Sequence, residues 1–238
     1  MVKINIRGVI IPNDYKWYYD WFGEDSTCPK DVHSILDTIT DGDEIEVYIN
    51  SPGGVIDVGS EIYTALRKVS DKCNMKIFIV GEACSAASVI AMAGYSEMSP
   101  TALMMVHCVS SGARGNHNDL EHMAEVLRTA DRAMCTAYSS KSGMTEKEAL
   151  AMMEAETWLT AEEAKKRNLI DAVMFQKEEE PESIPLVAGP LFRLPTKEQL
   201  NKVKNMADCQ GTDDNAIFLR EKAQATLNLK KIIGGRRK

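Results

Sequence analysis

Two short stretches of the chain carry residue types that suit acyl transfer. They are Asn50-Ser51-Pro52-Gly53-Gly54-Val55-Ile56 and Gly81-Glu82-Ala83-Cys84-Ser85-Ala86-Ala87-Ser88. Each follows a pattern typical of a strand and precedes one typical of a helix. A strand-to-helix turn directs backbone N–H groups at a developing anion, and paired glycines let the backbone approach a ligand closely. A serine at the head of the second helix stands where an exposed nucleophile would be, so we expect Ser85 to be that nucleophile.

A serine hydroxyl is inert at neutral pH unless a base is placed beside it, and histidine is the base with a suitable pKa. The chain has four histidines. His33 lies in an early helical pattern, and His117 and His122 lie on the polar side of a later one. His107 closes the apolar run Leu103-Met104-Met105-Val106, 22 residues after Ser85. A histidine at a strand end is more often structural, so the residues alone leave its role open.

Strand and helix patterns alternate along the first three quarters of the chain. Alternating or apolar runs predict strands at 2–11, 44–50, 76–80, 103–107 and 169–175, and periodicity near 3.6 predicts helices at 31–40, 58–69, 86–93 and 120–138. Thr145-x-x-Glu148 and Thr160-x-x-Glu163 are capping boxes that begin two more helices. This order predicts an α/β fold built from right-handed βαβ units, with a mostly parallel sheet.

The aromatic segment from Trp17 to Phe22 favours packing in the core or against another subunit, with substrate contact as the alternative. The chain changes character after Gln176. A charged linker begins at Lys177, prolines interrupt the next stretch, and only residues 213–233 regain a weak helical stripe. We therefore expect a catalytic domain at 1–176, followed by a linker and partly helical tail at 177–238.

The amino-acid composition and net charge exclude several classes of function. The net charge is −7, and residues 177–238 hold 12 Lys and Arg against 9 Asp and Glu, which leaves −10 on the first 176 residues. An acidic body argues against nucleic acid as the main partner. Six cysteines without metal-ligand spacing indicate free thiols in a reducing compartment. Without an apolar run long enough to span a bilayer or a signal segment, we expect a cytoplasmic protein and no membrane partner.

Together these motifs resemble the Clp-type serine proteases, the ClpP family of self-compartmentalised peptidases. The resemblance runs from about Gly8 to Phe175 and includes four motifs in the family's order. The opening Ile-Arg-Gly-Val-Ile-Ile-Pro-Asn-Asp-Tyr-Lys-Trp, followed by Trp-Phe-Gly, is most similar to the phage and prophage head maturation (prohead) branch. The resemblance implies a ClpP/crotonase-like superhelix of stacked ββα and βαβ units, in which the long helix near 120–138 is a handle for subunit assembly.

The same resemblance assigns the site. It makes His107 the catalytic base, because the family's histidine follows such an apolar strand. The family has an Asp three residues before the Leu of a Leu-Ser/Thr-Ala-x-Glu-Ala motif, and Glu156 occupies that position before Leu159 here. This departure adds a methylene, with Glu154 as a nearby rival and a surface carboxylate without a role as the alternative. The expected triad is Ser85, His107 and Glu156.

The backbone amides of Gly54 and Ala86 are implied as the oxyanion hole, although Gly53-Gly54 is also explained as a tight turn. A peptide substrate would add as a β-strand between Val55-Ile56 and the loop of Ser111 and Gly112. The resemblance implies neither metal nor cofactor. It implies a ring-like homo-oligomer acting on protein substrates such as capsid or scaffold proteins, in the host cytoplasm or the prohead interior, without an ATPase partner.

Several alternatives remain open from sequence. Cys84, where the family usually has Ala, could pair with the histidine, but a small buried hydrophobe is the favoured interpretation. Ser88 is interpreted as helix packing. The whole chain could instead be a housekeeping Clp-type peptidase working with an ATPase, a crotonase-type enoyl-CoA enzyme on the same architecture, or a capsid scaffold with a vestigial protease body. The Ser–His–acid set argues against the last two.

Overall fold

The structure, a computed structural model, describes residues 1–176 and residue 201. The proposed linker and helical tail lie outside these residues, so the domain boundary at 176/177 stays a prediction. Within the part described, no helix is both long and apolar enough to cross a membrane.

One sheet of eight strands forms the centre of the fold. Its strands are β1 (Val2–Ile10), β2 (Ser26–Thr27), β3 (Glu44–Gly54), β4 (Asn74–Cys84), β5 (Tyr95–Met98), β6 (Leu103–Val106), β7 (Thr157–Thr160) and β8 (Ala172–Val173). The main path runs β2-β1-β3-β4-β5-β8, and β6 branches from β4 and pairs with β7. All pairings are parallel except β6 with β7. The expected α/β class with a mostly parallel sheet is confirmed.

Within residues 1–176, seven α-helices accompany the sheet. They are α1 (Lys16–Phe22), α2 (Pro29–Leu36), α3 (Ile56–Ser70), α4 (Ala86–Ala91), α5 (His117–Ser142), α6 (Glu146–Glu154) and α7 (Ala161–Lys166). The long helix expected near 120–138 is α5. Both predicted capping boxes are present, because Thr145 accepts from the Glu148 amide and Thr160 from the Glu163 amide at the starts of α6 and α7.

The alternation in the strands explains where the core lies. Ile45, Val47 and Ile49 of β3 are at most 1% exposed, and Ile77 and Ile79 of β4 are fully buried. Successive strand residues face opposite sides, so these residues share one face of the sheet. The helices α3 and α4 bury apolar residues beside them, among which Ile62, Leu66 and Ile90 have no exposure. Burial of this kind supplies most of the folding free energy.

Several element boundaries differ from the sequence predictions. The strand predicted at 44–50 continues to Gly54, and the one at 76–80 begins at Asn74 and ends at Cys84. The strand predicted at 169–175 shrinks to two residues, and α2 ends at Leu36 rather than at residue 40. The strands β2, β5 and β7 are not anticipated, because runs of two to four residues are too short to show a period.

The interpretation of the aromatic segment as a core plug is wrong. Trp17, Trp21 and Phe22 of α1 are 69%, 80% and 62% exposed, and the helix buries none of its residues. Its rings contact one another instead, as Tyr18 does with Trp17, Tyr19 and Phe22. Five of the seven residues of this helix are aromatic, with Asp20 between Tyr19 and Trp21, so the rings surround the helix and cannot all face the core. A contact with another subunit stays a prediction.

Candidate active site

Strand register brings Ser85 and His107 together, although they are 22 residues apart in the chain. In the parallel pairing of β4 and β6, Cys84 lies opposite Met105. The Ser85 amide then donates to the Met105 carbonyl over 2.9 Å, which fixes the backbone of Ser85 against β6. His107 follows Met105 by two residues and therefore lies just beyond the end of β6. The predicted meeting of a strand end with a helix start is what the structure shows.

The two side chains are joined directly. His107 Nε2 lies 2.9 Å from Ser85 Oγ, within ordinary hydrogen-bond distance, and both residues are half-buried. With Nε2 unprotonated, this nitrogen accepts the hydroxyl proton, which is the arrangement that activates a serine nucleophile. His33, the histidine of the early helix, is engaged elsewhere. Its Nε2 lies 3.1 Å from the exposed Glu61 carboxylate.

The backbone at Ser85 is held in a conformation that side chains rarely adopt. Its φ is +54° and its ψ is −126°, between the end of β4 and the start of α4. Such a conformation costs on the order of 1–3 kcal/mol and persists only where the surroundings enforce it. A serine on a strained strand-to-helix turn presents its hydroxyl away from the sheet. The strain at Ser85 therefore supports a functional role over a packing one.

The predicted pair of glycines lies directly against this turn. A Cβ on Gly53 would come within 2.7 Å of the Ser85 Cβ and 3.1 Å of the Ala86 nitrogen, and φ at Gly53 is +96°. Neither the space nor the conformation suits another residue. The amide of Gly53 is held by the Ser51 hydroxyl at 3.1 Å. Sequence reasoning emphasised Gly54, whereas Gly53 is the glycine that contacts the nucleophile.

The amides of Gly54 and Ala86 are both available to a ligand by their place in the backbone. Gly54 lies opposite Ile10 of β1, and the Ile10 carbonyl accepts from the Val55 amide at 3.0 Å. Neighbouring strand residues direct their N–H groups to opposite edges, so the Gly54 N–H faces away from β1. Ala86 is the first residue of α4, where N–H groups lack an acceptor within the helix. Their joint action as an oxyanion hole stays a prediction.

Glu156 is brought beside His107 by its backbone but is not bonded to it. Val106 lies opposite Thr157 in the antiparallel pairing of β6 and β7, so the positions of His107 and Glu156 follow at the same end. Glu156 has a φ of +46°, and its carboxylate is exposed and makes no hydrogen bond to any residue that the structure describes. The structure therefore places the third residue of the predicted triad near the site without completing the triad.

Two depressions adjoin the Ser85–His107 pair. A small cavity of about 70 Å³ is lined by Gly54, Ile56, Ser85, Ala86, Val89, His107, Val109, Ser110, Met134 and Tyr138. A wider groove of about 760 Å³ is bordered by Val55, Ile56 and Ser111, with apolar side chains of α5 such as Met123 and Leu127. Three of the predicted substrate residues thus line these depressions. Gly112 lines neither of them.

The cysteines next to the catalytic pair are unsuited to nucleophilic attack. Cys84 is buried, and its Sγ lies 3.7 Å from a Glu82 carboxylate oxygen. Burial, and then the negative charge of Glu82, raises the pKa of Cys84 to about 12. Burial and the charge of Asp131 likewise raise the pKa of Cys108 to about 11. Both thiols are neutral near pH 7, which supports the interpretation of Cys84 as a small buried hydrophobe.

Three polar residues around the site escaped sequence reasoning or were assigned too small a part. Tyr138 and Asp131, both on α5, are buried behind the site, and Ser88 does more than pack. Ser88 Oγ lies 2.6 Å from the Ser85 carbonyl oxygen and 2.8 Å from the Tyr138 hydroxyl. The sequence feature that could have identified these residues is a polar side chain on an otherwise apolar helix face.

Among the described residues, no cluster of three His, Cys, Asp or Glu side chains could hold a metal ion.

Comparison with known proteins agrees with this geometry. A model of the Clp protease family matches residues 31–177. The chain is 32% identical over 145 residues to the ATP-dependent Clp protease proteolytic subunit of Bacteroides fragilis, covering 60% of this chain and 69% of that protein. It is 36% identical over 149 residues to the Deinococcus radiodurans protein of the same name, covering 61% and 72%. The chain spans about two thirds of the length of these relatives.

Proposed function

Because the chain belongs to the Clp protease family, we propose that it is a serine endopeptidase with Ser85 as nucleophile and His107 as general base. The observation that carries this proposal is the 2.9 Å contact between Ser85 Oγ and His107 Nε2, on a strained turn beside a glycine pair. Neutral thiols at Cys84 and Cys108 leave the serine as the nucleophile of the site.

The reaction follows the acyl-transfer scheme. His107 Nε2 takes the proton of Ser85 as Oγ attacks the peptide carbonyl, and the negative carbonyl oxygen accepts from the amides of Gly54 and Ala86. The imidazolium then gives its proton to the leaving amine, which departs and leaves an ester on Ser85. A water molecule, deprotonated by His107, cleaves this ester and restores the free enzyme. Each of these steps uses only groups of this chain, the peptide and water.

Glu156 is the proposed acid of the triad. Its backbone position precedes Thr157, the partner of Val106 in the β6–β7 register, and its carboxylate makes no hydrogen bond to another described residue. A glutamate side chain can change its torsions at low cost on an exposed surface. On substrate binding, a carboxylate that accepts from His107 Nδ1 would orient the ring and stabilise the imidazolium.

The groove beside Val55 and Ile56 is the proposed site for the peptide. The groove is largely apolar, and it is bordered on its other side by Ser111 and by Met123 and Leu127 of α5. A peptide bound there as an added strand would place its scissile carbonyl at Ser85. The similarity of residues 8–23 to head maturation proteases makes capsid or scaffold proteins the proposed substrates. A ring-like homo-oligomer is the proposed assembly.

A second candidate function is peptide hydrolysis together with an unfolding ATPase. The relatives from Bacteroides fragilis and Deinococcus radiodurans are named ATP-dependent proteolytic subunits, which favours this candidate. The two candidates differ in their requirement for ATP. Cleavage of a folded capsid or scaffold protein by the purified chain alone would support head maturation, whereas cleavage of small peptides only would support the ATPase-linked function.

Labelling with a fluorophosphonate probe tests the nucleophile. We expect the wild-type chain to be labelled, and the Ser85→Ala and His107→Ala variants to lose labelling and peptide hydrolysis, because the triad acts as a unit. Ser34→Ala, which removes an exposed serine of α2, is the matched control and should label normally. Oligomer size is recorded in parallel by size-exclusion chromatography with light scattering. Peptidase activity that survived in both Ser85→Ala and His107→Ala would contradict the proposal.

A further inference from the structure

One face of α5 carries two buried polar side chains behind the catalytic pair. Asp131 is 9% exposed and Tyr138 is 1% exposed. They are seven residues apart, which is two helical turns, so both project from the same face of α5. Asp131 is the one buried carboxylate in the part of the chain that the structure describes. A buried charge is costly unless its partners compensate it, so the contacts of Asp131 require an explanation.

Asp131 holds the chain that follows His107. Its Oδ1 accepts the backbone amide of Val109 over 2.6 Å. Strand β6 ends at Val106, and residues 107–114 have no regular secondary structure, so the ladder of the sheet does not fix His107. A charge-assisted hydrogen bond from a buried carboxylate is among the stronger protein hydrogen bonds. It fixes the backbone two residues beyond the imidazole.

Tyr138 holds the carbonyl of the nucleophile through Ser88. The Ser88 hydroxyl has a single hydrogen, and it donates it to the Ser85 carbonyl oxygen, which can only accept. The Tyr138 hydroxyl, 2.8 Å from Ser88 Oγ, is therefore the donor in the second contact. All three groups lie within the protein rather than at its surface, since Ser88 is fully buried. The chain of hydrogen bonds thus runs from α5 to the backbone of Ser85.

We propose that α5 sets the distance between Ser85 and His107, with Asp131 and Tyr138 as positioning residues. Each catalytic residue is attached by a buried hydrogen bond to the same rigid helix, at points about 10 Å apart along its axis. Loss of either attachment lets one partner move relative to the other, and small displacements at a reacting centre lower the rate. Both side chains are at most 9% exposed, so they act through the residues that they hold. This inference rests on the proposed function, because it describes how the Ser85–His107 pair is held for catalysis.

Three variants and one control separate positioning from general stability. Asp131→Ala removes the acceptor, and Asp131→Asn keeps an amide oxygen that can still accept from Val109. Tyr138→Phe removes a single hydroxyl and keeps the ring. Ile62→Val, in the core face of α3, is the control for stability alone, since it removes a buried methylene and none of these hydrogen bonds. The full-length oligomer is used, and kcat and KM are measured with a fluorogenic peptide alongside the labelling rate of Ser85.

We expect Asp131→Ala and Tyr138→Phe to lower kcat by about five- to tenfold, the equivalent of one lost hydrogen bond, with KM within about twofold of wild type. Asp131→Asn should keep most of the wild-type kcat, and Ile62→Val all of it. If Asp131→Ala does not fold, Tyr138→Phe and Asp131→Asn still carry the test.

Two patterns would overturn the inference while leaving the proposed function intact. In the first, wild type is labelled and Tyr138→Phe and Asp131→Ala keep a kcat equal to that of Ile62→Val. In the second, Asp131→Asn loses as much activity as Asp131→Ala, or the change falls on KM. A wild-type chain that is neither labelled nor active overturns the proposed function, and with it this inference.

Discussion

Replacing Gly53 by alanine should disable the site with little loss of fold. The new Cβ would lie 2.5 Å from the Cys84 carbonyl oxygen and 2.7 Å from the Ser85 Cβ. Ordinary van der Waals contact begins near 3.4 Å, so the turn that holds Ser85 must move away by about 0.7–0.9 Å. The φ of +96° at this position adds strain of about 1–3 kcal/mol for a residue with a side chain.

The rate should fall because this displacement occurs at the nucleophile itself. A misplacement of about 1 Å costs on the order of 10²-fold in rate, so we expect kcat and the rate of fluorophosphonate labelling to fall by about that factor. The oligomer should persist, since the strain amounts to part of the stability of an ordinary domain. Stopped-flow or gel-based labelling and urea unfolding measure the two effects separately.

Gly42→Ala provides a closely matched control. Gly42 has a φ of +92°, almost that of Gly53, but a Cβ there would meet nothing within 4 Å. The two variants thus share the backbone strain and differ in contact with the catalytic turn. Gly42→Ala should lose stability and keep its labelling rate. Equal labelling rates in Gly53→Ala and Gly42→Ala would show that close packing against Ser85 does not determine its position.

Two further outcomes follow from buried groups near the site. Burial raises the pKa of the Cys84 thiol from its usual 9.0 to about 12, so the unfolded chain loses this proton at a lower pH than the folded protein. The free energy of unfolding is therefore unaffected below pH 9 and falls as pH rises above it. Urea unfolding between about pH 8 and 10.5 should show a steeper decline of this free energy for wild type than for Cys84→Ala, and equal slopes would contradict the argument. Ser51→Ala should lower the free energy of unfolding by about 2–4 kcal/mol, because Ser51 is fully buried and its loss takes a donor from the Gly8 carbonyl and an acceptor from the Gly53 amide. Thermal unfolding tests this, with the exposed Ser34→Ala as the control expected within about 0.5 kcal/mol of wild type.

The catalytic pair could be anticipated because it depends on features that leave a strong sequence pattern. A strand, a small-residue turn and a helix predict where Ser85 is exposed, and the apolar run before His107 predicts a neighbouring strand end. What sequence could not supply was the register of Cys84 opposite Met105, which decides that the two residues meet. Register depends on pairing between distant segments, and each segment alone is compatible with several offsets.

The polar contacts of α5 show a different limit of prediction from sequence. The periodicity predicts a helix at 120–138 with an apolar stripe, and the structure has a longer helix of 26 residues there. Periodicity does not reveal that Asp131 and Tyr138 are buried, since a polar residue on an apolar face looks like an imperfection of the pattern. Their partners, a backbone amide and a serine of another helix, are far away in the chain. Only the packing of α5 against α4 and against the loop after β6 identifies them.

The prediction of Glu156 as the third residue depends both on a sequence motif and on packing that the sequence does not show. The position of Glu156 follows from a motif, and the pairing of Val106 with Thr157 brings its backbone to the same end of the strands as His107. Its role as the acid of the triad stays a prediction. Whether its carboxylate accepts from the imidazole depends on three side-chain torsions and on the φ of +46° that sets the direction of its Cβ. An aspartate at this position would have fewer torsions to fix and a shorter reach. Backbone pairing therefore brings the two positions to the same end of the strands, while a hydrogen bond between the longer side chain of Glu156 and His107 stays a prediction.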